Sequence, residues 1–230
     1  MTLVAHVTPE RFFLGTRLER RPDWMTYLME PEATRSSKPE SVAKEITEKK
    51  AKQEAEARTY PVAGTVAAAV IMNSAGEALL TTCHDASAPA GDVSVRVLQW
   101  LAAANAVDPV SDYDPRTDCG IRLFGFGIAD FMGIMFLDAL GFARATRTDV
   151  DIPLGLWYHA PFEQRPWADP FHILIPSERR DRDIDRQGLC DFLGIPCPDD
   201  LMDDPGQMAN VARLMALKGQ LFPAPPTLSR

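Results

Sequence analysis

The 230-residue chain is poor in the features that mark several protein classes. It has only four cysteines, Cys83, Cys119, Cys190 and Cys197, with no Cys-x-x-Cys pair, so reduced thiols in a cytosolic setting are expected. A zinc site built from Cys190, Cys197 and a histidine is an alternative, although the spacing matches no common ligand pattern. No apolar run reaches the ~18 residues of a membrane span, and the first residues lack the features of a secretory signal. These absences predict a cytoplasmic protein that does not cross a membrane.

Positive charge is also scarce, because 24 lysines and arginines face 32 aspartates and glutamates, for a net charge of −8. Proteins that bind duplex DNA through its phosphates are usually basic, at least locally. The charge balance therefore argues against DNA binding by the whole surface. With 46% hydrophobic residues the chain is able to bury a sizeable core, and its length fits either one large α/β domain with an appendage or two small domains.

One stretch, Ile121–Phe142 (IRLFGFGIADFMGIMFLDALGF), organises the predicted fold. Its pattern predicts a strand over 121–126, a turn containing Gly125 and Gly127, and an apolar helix over 130–142. A strand, a glycine turn and a helix form half of a β–α unit. The carboxyl ends of strands are where open α/β sheets bind ligands.

The rest of the chain alternates between strand and helix patterns. It predicts strands over 10–18, 65–72 and 77–83, and helices over 38–58, 91–106, 184–193 and 207–221. The helix over 38–58 should begin at a capping box formed by Ser37 and Glu40. Its surface should carry the i,i+4 pairs Glu40/Lys44, Glu45/Lys49 and Glu48/Lys52.

Three stretches resemble the DEDD-type 3′–5′ exonucleases of the proofreading, RNase H-like group. The segment Gly125-Phe126-Gly127, with Phe131-Met132 after it, is similar to the second motif of that family. Residues 38–52 resemble a helix that some phage-type members insert between their first two strands. The run WYHAPFEQRPWADPFHI resembles the family's aromatic region before a strand that begins F-H-I-D, and this resemblance implies a strand over 171–175.

The resemblance implies an α/β, RNase H-like fold with a mixed sheet, in which an antiparallel meander joins parallel strands flanked by helices. It implies one domain over residues 1–222 with a helical insert at 37–58. Residues 223–230 would form a disordered, proline-rich tail.

The resemblance also locates a catalytic site that has lost its carboxylates. Hydrolysis by two metals needs two divalent cations held largely by carboxylates. The matching positions here hold Gly15, Arg17, Met132, Leu214 and Lys218. No catalytic residue, metal or other cofactor is therefore expected.

Other residues are candidates for binding a nucleic acid or a partner protein: Phe126, Gly127, Phe131, Lys44, Lys49, Lys50, Lys52, Trp157 and Trp167. The four lysines form either a solvated helix face or a basic edge that contacts a partner. The loop aromatics either stack on bases or pack their loop onto the domain.

Three functional hypotheses follow. The favoured one is a catalytically degenerate exonuclease-like protein that serves as an accessory or scaffold subunit in replication, transcription or virion assembly. Its expected partner is a protein in a larger assembly, with nucleic acid as the second choice. The hypothesis covers the case of a viral protein, which would act in the host cytoplasm. The alternative is an active nuclease whose Mg²⁺ or Mn²⁺ is held by displaced carboxylates such as Glu19, Asp130 or Asp138. A DNA-mimicking inhibitor ranks last, because charges of both signs are interspersed.

Overall fold

The computed structural model describes residues 10–33, 38–104, 121–150, 167–174 and 185–219. Its centre is a five-stranded sheet in the order β3-β2-β1-β4-β5. The strands are β1 (Glu10–Arg20), β2 (Gly64–Met72), β3 (Ala78–Cys83), β4 (Ile121–Phe124) and β5 (Trp167–Ala168). The helices are α1 (Pro39–Glu56), α2 (Asp92–Ala104), α3 (Ile128–Thr146), α4 (Pro170–Leu174), α5 (Arg186–Leu193) and α6 (Pro205–Lys218).

The sheet is mixed, as the sequence predicts. Strand β1 pairs antiparallel with β2, and β2 pairs antiparallel with β3. On its other side β1 pairs parallel with β4, which pairs parallel with β5. The α/β class with antiparallel and parallel strands is therefore confirmed.

Helices cover both faces of the sheet. The side chains of β1 alternate between the two faces and therefore contribute to a core on each side. Phe12 and Leu14 enter a core with α2 and α3, in which Phe12 meets Trp100 edge to face at 5.0 Å. Phe13 points to the opposite face and packs with alanines of α6. The second core on that face joins α4, α5 and α6.

The strand predicted over 171–175 is wrong, because Phe171 to Leu174 lie in helix α4. Pro170 occupies the first helical position, and the Asp169 carboxylate accepts a hydrogen bond from the Phe171 nitrogen at 2.9 Å. Proline at the start and a capping aspartate favour a helical turn over a strand. Two residues, Trp167 and Ala168, supply strand β5 instead.

Other boundaries shift while the element type is confirmed. Strand β4 ends at Phe124 rather than 126, and α3 runs over Ile128–Thr146, longer than the predicted 130–142. The hairpin of β2 and β3 and the helix α6 lie within about two or three residues of the prediction. Gly194 ends α5 in the left-handed conformation with φ of 62°, as its position after the helix predicts.

Helix α1 forms as predicted, and its predicted capping box depends on a residue outside the described part of the chain. It begins at Pro39, and Lys38 at the N-cap position makes no side-chain cap, while Ser37 lies outside the described residues. No residue of α1 is buried. The helix is joined to its surroundings by polar contacts, including Lys49 Nζ to the Glu32 carbonyl at 2.7 Å and Gln53 to the Met29 carbonyl at 3.2 Å.

Candidate functional site

The candidate site lies where β4 ends beside the middle of the longer strand β1, next to the glycine turn 125–127. Gly127 has φ of 60° and is the N-cap of α3, and this left-handed conformation favours glycine. A Cβ at Gly125 would lie 2.8 Å from the Leu14 carbonyl oxygen. Glycine is therefore required twice in this turn, once for conformation and once for the close approach of β1.

Asp169, which directly follows strand β5, binds the backbone of this turn. One carboxylate oxygen accepts from the Gly127 nitrogen at 2.9 Å and the other from the Phe171 nitrogen at 2.9 Å. The side chain is only 5% exposed. Asp169 was not among the predicted site residues, although an aspartate followed by proline is a typical start of a helix. Because both oxygens already bind backbone, Asp169 holds the turn together.

Gly15 occupies the first strand at the position where the resemblance implies a metal-binding carboxylate. A Cβ built there would overlap the Pro205 carbonyl oxygen and lie 2.7 Å from the Ala209 nitrogen. The backbone at the start of α6 therefore fills the space that a side chain at residue 15 would need. No residue other than glycine fits this position without moving the helix.

Arg17 and Glu19 lie farther along β1. The Arg17 guanidinium lies 3.3 Å from a Glu19 carboxylate oxygen, and both side chains are substantially exposed. The two charges thus largely offset each other. Glu19, a candidate displaced carboxylate, faces a cation of its own strand, which is an unfavourable surrounding for a divalent ion. The side chain of Asp130, the second candidate, lies outside the described part of the structure.

The remaining degenerate positions lie in different surroundings. Met132 is buried in the core between the sheet, α2 and α3, whereas Leu214 packs against the second core with α5. Lys218 is at the last turn of α6, where its ammonium donates to the carbonyls of Leu193 and Gly194 at 2.8 and 2.9 Å. Lys218 thus binds the carboxyl end of α5 and complements its helix dipole.

Replacing Lys218 by methionine should lower the free energy of unfolding by about 0.5–1 kcal/mol, because two carbonyls at a helix end lose their cation. Urea unfolding followed by circular dichroism measures this. Lys50→Met is the matched control, since no described residue partners Lys50 and its loss should be nearly neutral. Equal effects of the two changes would contradict the capping role.

Asp138, the third displaced-carboxylate candidate, lies in a buried polar network on the other face of the sheet. Its side chain is 1% exposed and forms an ion pair with Arg21. It also accepts from the Val66 nitrogen at 2.9 Å and from the hydroxyls of Thr65 and Ser94 at 3.0 and 3.1 Å. With these donors around it, Asp138 has little capacity left for a metal ion.

Burial raises the pKa of Asp138 above its ordinary value, against the opposing effects of the Val66 nitrogen and Arg21. An acid with a raised folded-state pKa contributes stability that is present below its unfolded pKa and is lost as the pH rises through the folded pKa. We therefore expect the stability of the native chain, measured relative to Asp138→Asn, to fall as the pH rises above the ordinary carboxyl range. Urea unfolding of both proteins across pH tests this, and a pH-independent difference would contradict it.

The two phenylalanines of the predicted binding set are both buried. Phe126 packs in the core with α5 and α6, where the Arg186 guanidinium lies 5.2 Å from its ring centre. Phe131 is buried on the opposite face, with α2 and α3. Neither ring offers a surface on which a base could stack.

Three of the four candidate lysines on α1 form ion pairs within that helix. Lys49 lies 2.8 Å from Glu45, as the sequence predicts. Lys44 and Lys52 instead pair with the glutamates four residues later, Glu48 at 3.8 Å and Glu56 at 3.9 Å. The intervening acids reduce the positive potential that the lysines alone would produce.

Some predicted features lie outside the described residues. These are Trp157, Cys119 and the tail over 223–230, together with the side chain of Trp167, whose backbone belongs to β5. Cys83, Cys190 and Cys197 are free thiols. Within the described ranges, no three His, Cys, Asp or Glu side chains are grouped so that they could hold a metal ion.

Comparison of the chain with protein-family models, curated proteins and solved structures gave no match. Among the described helices, none has both the length and the apolar character needed to cross a membrane.

Proposed function

We propose that this chain is a catalytically inactive protein with the fold of the DEDD-type 3′–5′ exonucleases, and that it acts as an accessory or scaffold subunit by binding another protein. The position of Gly15 is the main support for the absence of catalysis. Where an exonuclease of this kind would present carboxylates to metal ions, the backbone of Pro205 and Ala209 packs directly on the strand.

The arrangement of the sheet supports the RNase H-like fold within this proposal. The meander of β1, β2 and β3 continues on the other side of β1 into the parallel strands β4 and β5. This is the arrangement that the resemblance implies. The insert helix α1 also lies between the first two strands, where phage-type members carry theirs.

The residues at the motif positions do not fit a pair of divalent cations. Magnesium and manganese prefer carboxylate and other oxygen ligands. Gly15 has no ligand to offer, Met132 is buried in the core, and Lys218 brings a positive charge. A metal enters only under the alternative, in which other carboxylates would hold it.

A protein partner is favoured over nucleic acid by the state of the candidate binding residues. The buried rings of Phe126 and Phe131 cannot stack on bases, and the acids of α1 offset its lysines. A groove that follows a nucleic acid strand needs positive potential and exposed aromatic rings. Free thiols in the described residues agree with a cytoplasmic location for such a subunit.

The direct test incubates the purified protein with a 3′-labelled single-stranded DNA or RNA in Mg²⁺ or Mn²⁺, beside an active 3′–5′ exonuclease. We expect no shortening of the strand and no binding of Mn²⁺ by calorimetry. Shortening from the 3′ end that needs the metal and is lost in Glu19→Ala or Asp130→Ala would instead establish the active-nuclease alternative.

A second measurement separates nucleic acid from protein as the partner. Fluorescence anisotropy of a labelled single strand should show weak binding that barely changes when Lys44, Lys49, Lys50 and Lys52 are all replaced by glutamine. Binding that is tight, decreases with salt and is lost in this variant would assign α1 to a nucleic acid instead.

A further inference from the structure

Two cysteines lie in one hydrophobic core, on either side of the turn that ends α5. Cys190, on α5, is fully buried in the core that this helix forms with α4 and α6. Cys197 is half-buried and packs against the same core. Cys83, by contrast, is exposed on β3 at one edge of the described sheet. The fold therefore brings two thiols together and leaves the third described thiol apart.

The turn after α5 explains why the two cysteines meet. The Ile195 nitrogen donates to the Cys190 carbonyl at 2.8 Å, and the Gly194 nitrogen donates to the Asp191 carbonyl at 3.1 Å. These two bonds form a Schellman motif, in which a glycine in the left-handed conformation reverses the chain at a helix end. The reversal directs the residues after Gly194 back along the helix. Cys197 thereby reaches the core that holds Cys190.

The two thiols differ in their surroundings. Burial and, to a smaller extent, a hydrogen bond with the Cys197 thiol raise the pKa of Cys190 to about 12. Cys190 is therefore protonated at neutral pH, and the more accessible Cys197 is the sulfur that a small oxidant meets first. An accessible cysteine beside a second one that can resolve its oxidised form is the usual arrangement of a redox sensor.

We propose that Cys190 and Cys197 are a redox-sensitive pair, which hydrogen peroxide converts into a reversible disulfide within one chain. The Cys197 thiolate attacks one peroxide oxygen, the O–O bond breaks, and the other oxygen takes up a proton and leaves as water. The Cys190 sulfur then attacks the sulfenic sulfur of Cys197 and gives up its proton, while the S–O bond breaks and a second water leaves. Two thiols are oxidised by two electrons, and one peroxide is reduced to two waters. The inference goes beyond the proposed function and does not depend on it.

The disulfide would close a short loop around the turn to which α6 binds. Lys218 of α6 donates to the carbonyls of Leu193 and Gly194 at 2.8 and 2.9 Å, and both residues lie between the two cysteines. A bond across this turn limits the conformations of the unfolded chain and keeps the two carbonyls in place for Lys218. Oxidation should therefore raise the melting temperature, by about 5 °C for a loop this short.

Peptide mapping tests which cysteines are joined. It uses the native chain and a Cys83→Ser/Cys119→Ser variant, in which only the proposed pair remains. After hydrogen peroxide, free thiols are alkylated and the chain is cut before each aspartate, so that the cut at Asp191 separates Cys190 from Cys197. In both proteins the two fragments should stay joined, while the intact mass remains that of one chain, and dithiothreitol should release them. Separate fragments with both cysteines alkylated, or a linkage between two chains, would overturn the proposal.

Thermal unfolding tests the effect of the bond on the fold. The native chain and the Cys83→Ser/Cys119→Ser variant should each melt about 5 °C higher after oxidation than before it. Cys197→Ser should show no such rise, and it is preferred to Cys190→Ser because residue 197 is only half-buried. A disulfide that leaves the melting temperature unchanged, or an equal rise in Cys197→Ser, would contradict the assigned role.

Discussion

Asp138→Ala is expected to lower the free energy of unfolding by about 3–5 kcal/mol, the range for removing one partner of a buried ion pair. The change leaves the Arg21 guanidinium without its buried partner. It also leaves the Val66 nitrogen and the hydroxyls of Thr65 and Ser94 without the acceptor they share. Each such group loses a hydrogen bond in a place that water does not readily reach.

The effect is large because the Asp138 carboxylate binds groups from several elements of the fold. Arg21 follows the end of β1, Thr65 and Val66 belong to β2, Ser94 to α2 and Asp138 to α3. One side chain therefore connects the sheet to both helices that cover this face. Typical domains unfold with about 5–15 kcal/mol, so the variant should lose a large part of its stability.

Urea unfolding followed by circular dichroism measures the loss, provided that the slope with denaturant is unchanged. Leu140→Ala is a matched control on the same helix, because Leu140 is 45% exposed and should contribute little. Asp138→Asn should fall between the native chain and the alanine variant, since an amide oxygen can still accept from some of these donors. An effect of Asp138→Ala no larger than that of Leu140→Ala would contradict the anchoring role.

Asp138 also shows where sequence-based inference reaches its limit. The apolar pattern around it predicted the helix, because the periodicity is local. Its role depends on Arg21, which lies 117 positions away, and no pattern in the sequence connects the two. An aspartate in an apolar helix is compatible with either a metal ligand or a buried anchor. Only the three-dimensional arrangement separates these.

The same distinction explains the segment after β5. The family resemblance implied a strand from Phe171 onward, but Asp169 and Pro170 immediately before it favour a helical start. The capping aspartate also binds the Gly127 nitrogen, so the short helix and the glycine turn are fixed by one side chain. The local start signal and the tertiary contact with the glycine turn therefore both favour the short helix over a strand.

Gly15→Ala is expected to lower the free energy of unfolding by about 3 kcal/mol or more. The added methyl group meets backbone atoms, which cannot rotate away as a side chain could. Overpacking in a core costs about 1–3 kcal/mol when side chains can adjust. Here the obstacles are the Pro205 carbonyl oxygen and the Ala209 nitrogen, so α6 itself must move off the strand. Helix α6 carries residues of the cores on this face, and those contacts would be loosened together.

The matched control is Gly141→Ala, since a Cβ at Gly141 in α3 meets nothing within 4 Å. Alanine is favoured over glycine inside a helix by about 0.5–1 kcal/mol, so this variant should be slightly more stable than the native chain. The two changes add the same methyl group and should shift the urea midpoint in opposite directions.

The outcome also bears on the function. If Gly15→Ala is as destabilising as expected, a Gly15→Asp change that restores a carboxylate at this position should unfold the chain before it binds Mn²⁺. The packing of α6 would then exclude a carboxylate at residue 15, in agreement with the proposed absence of catalysis. If Gly15→Ala is instead tolerated, α6 is able to leave the strand. A side chain at residue 15 could then reach solvent, and the proposed absence of catalysis would lose its main structural support.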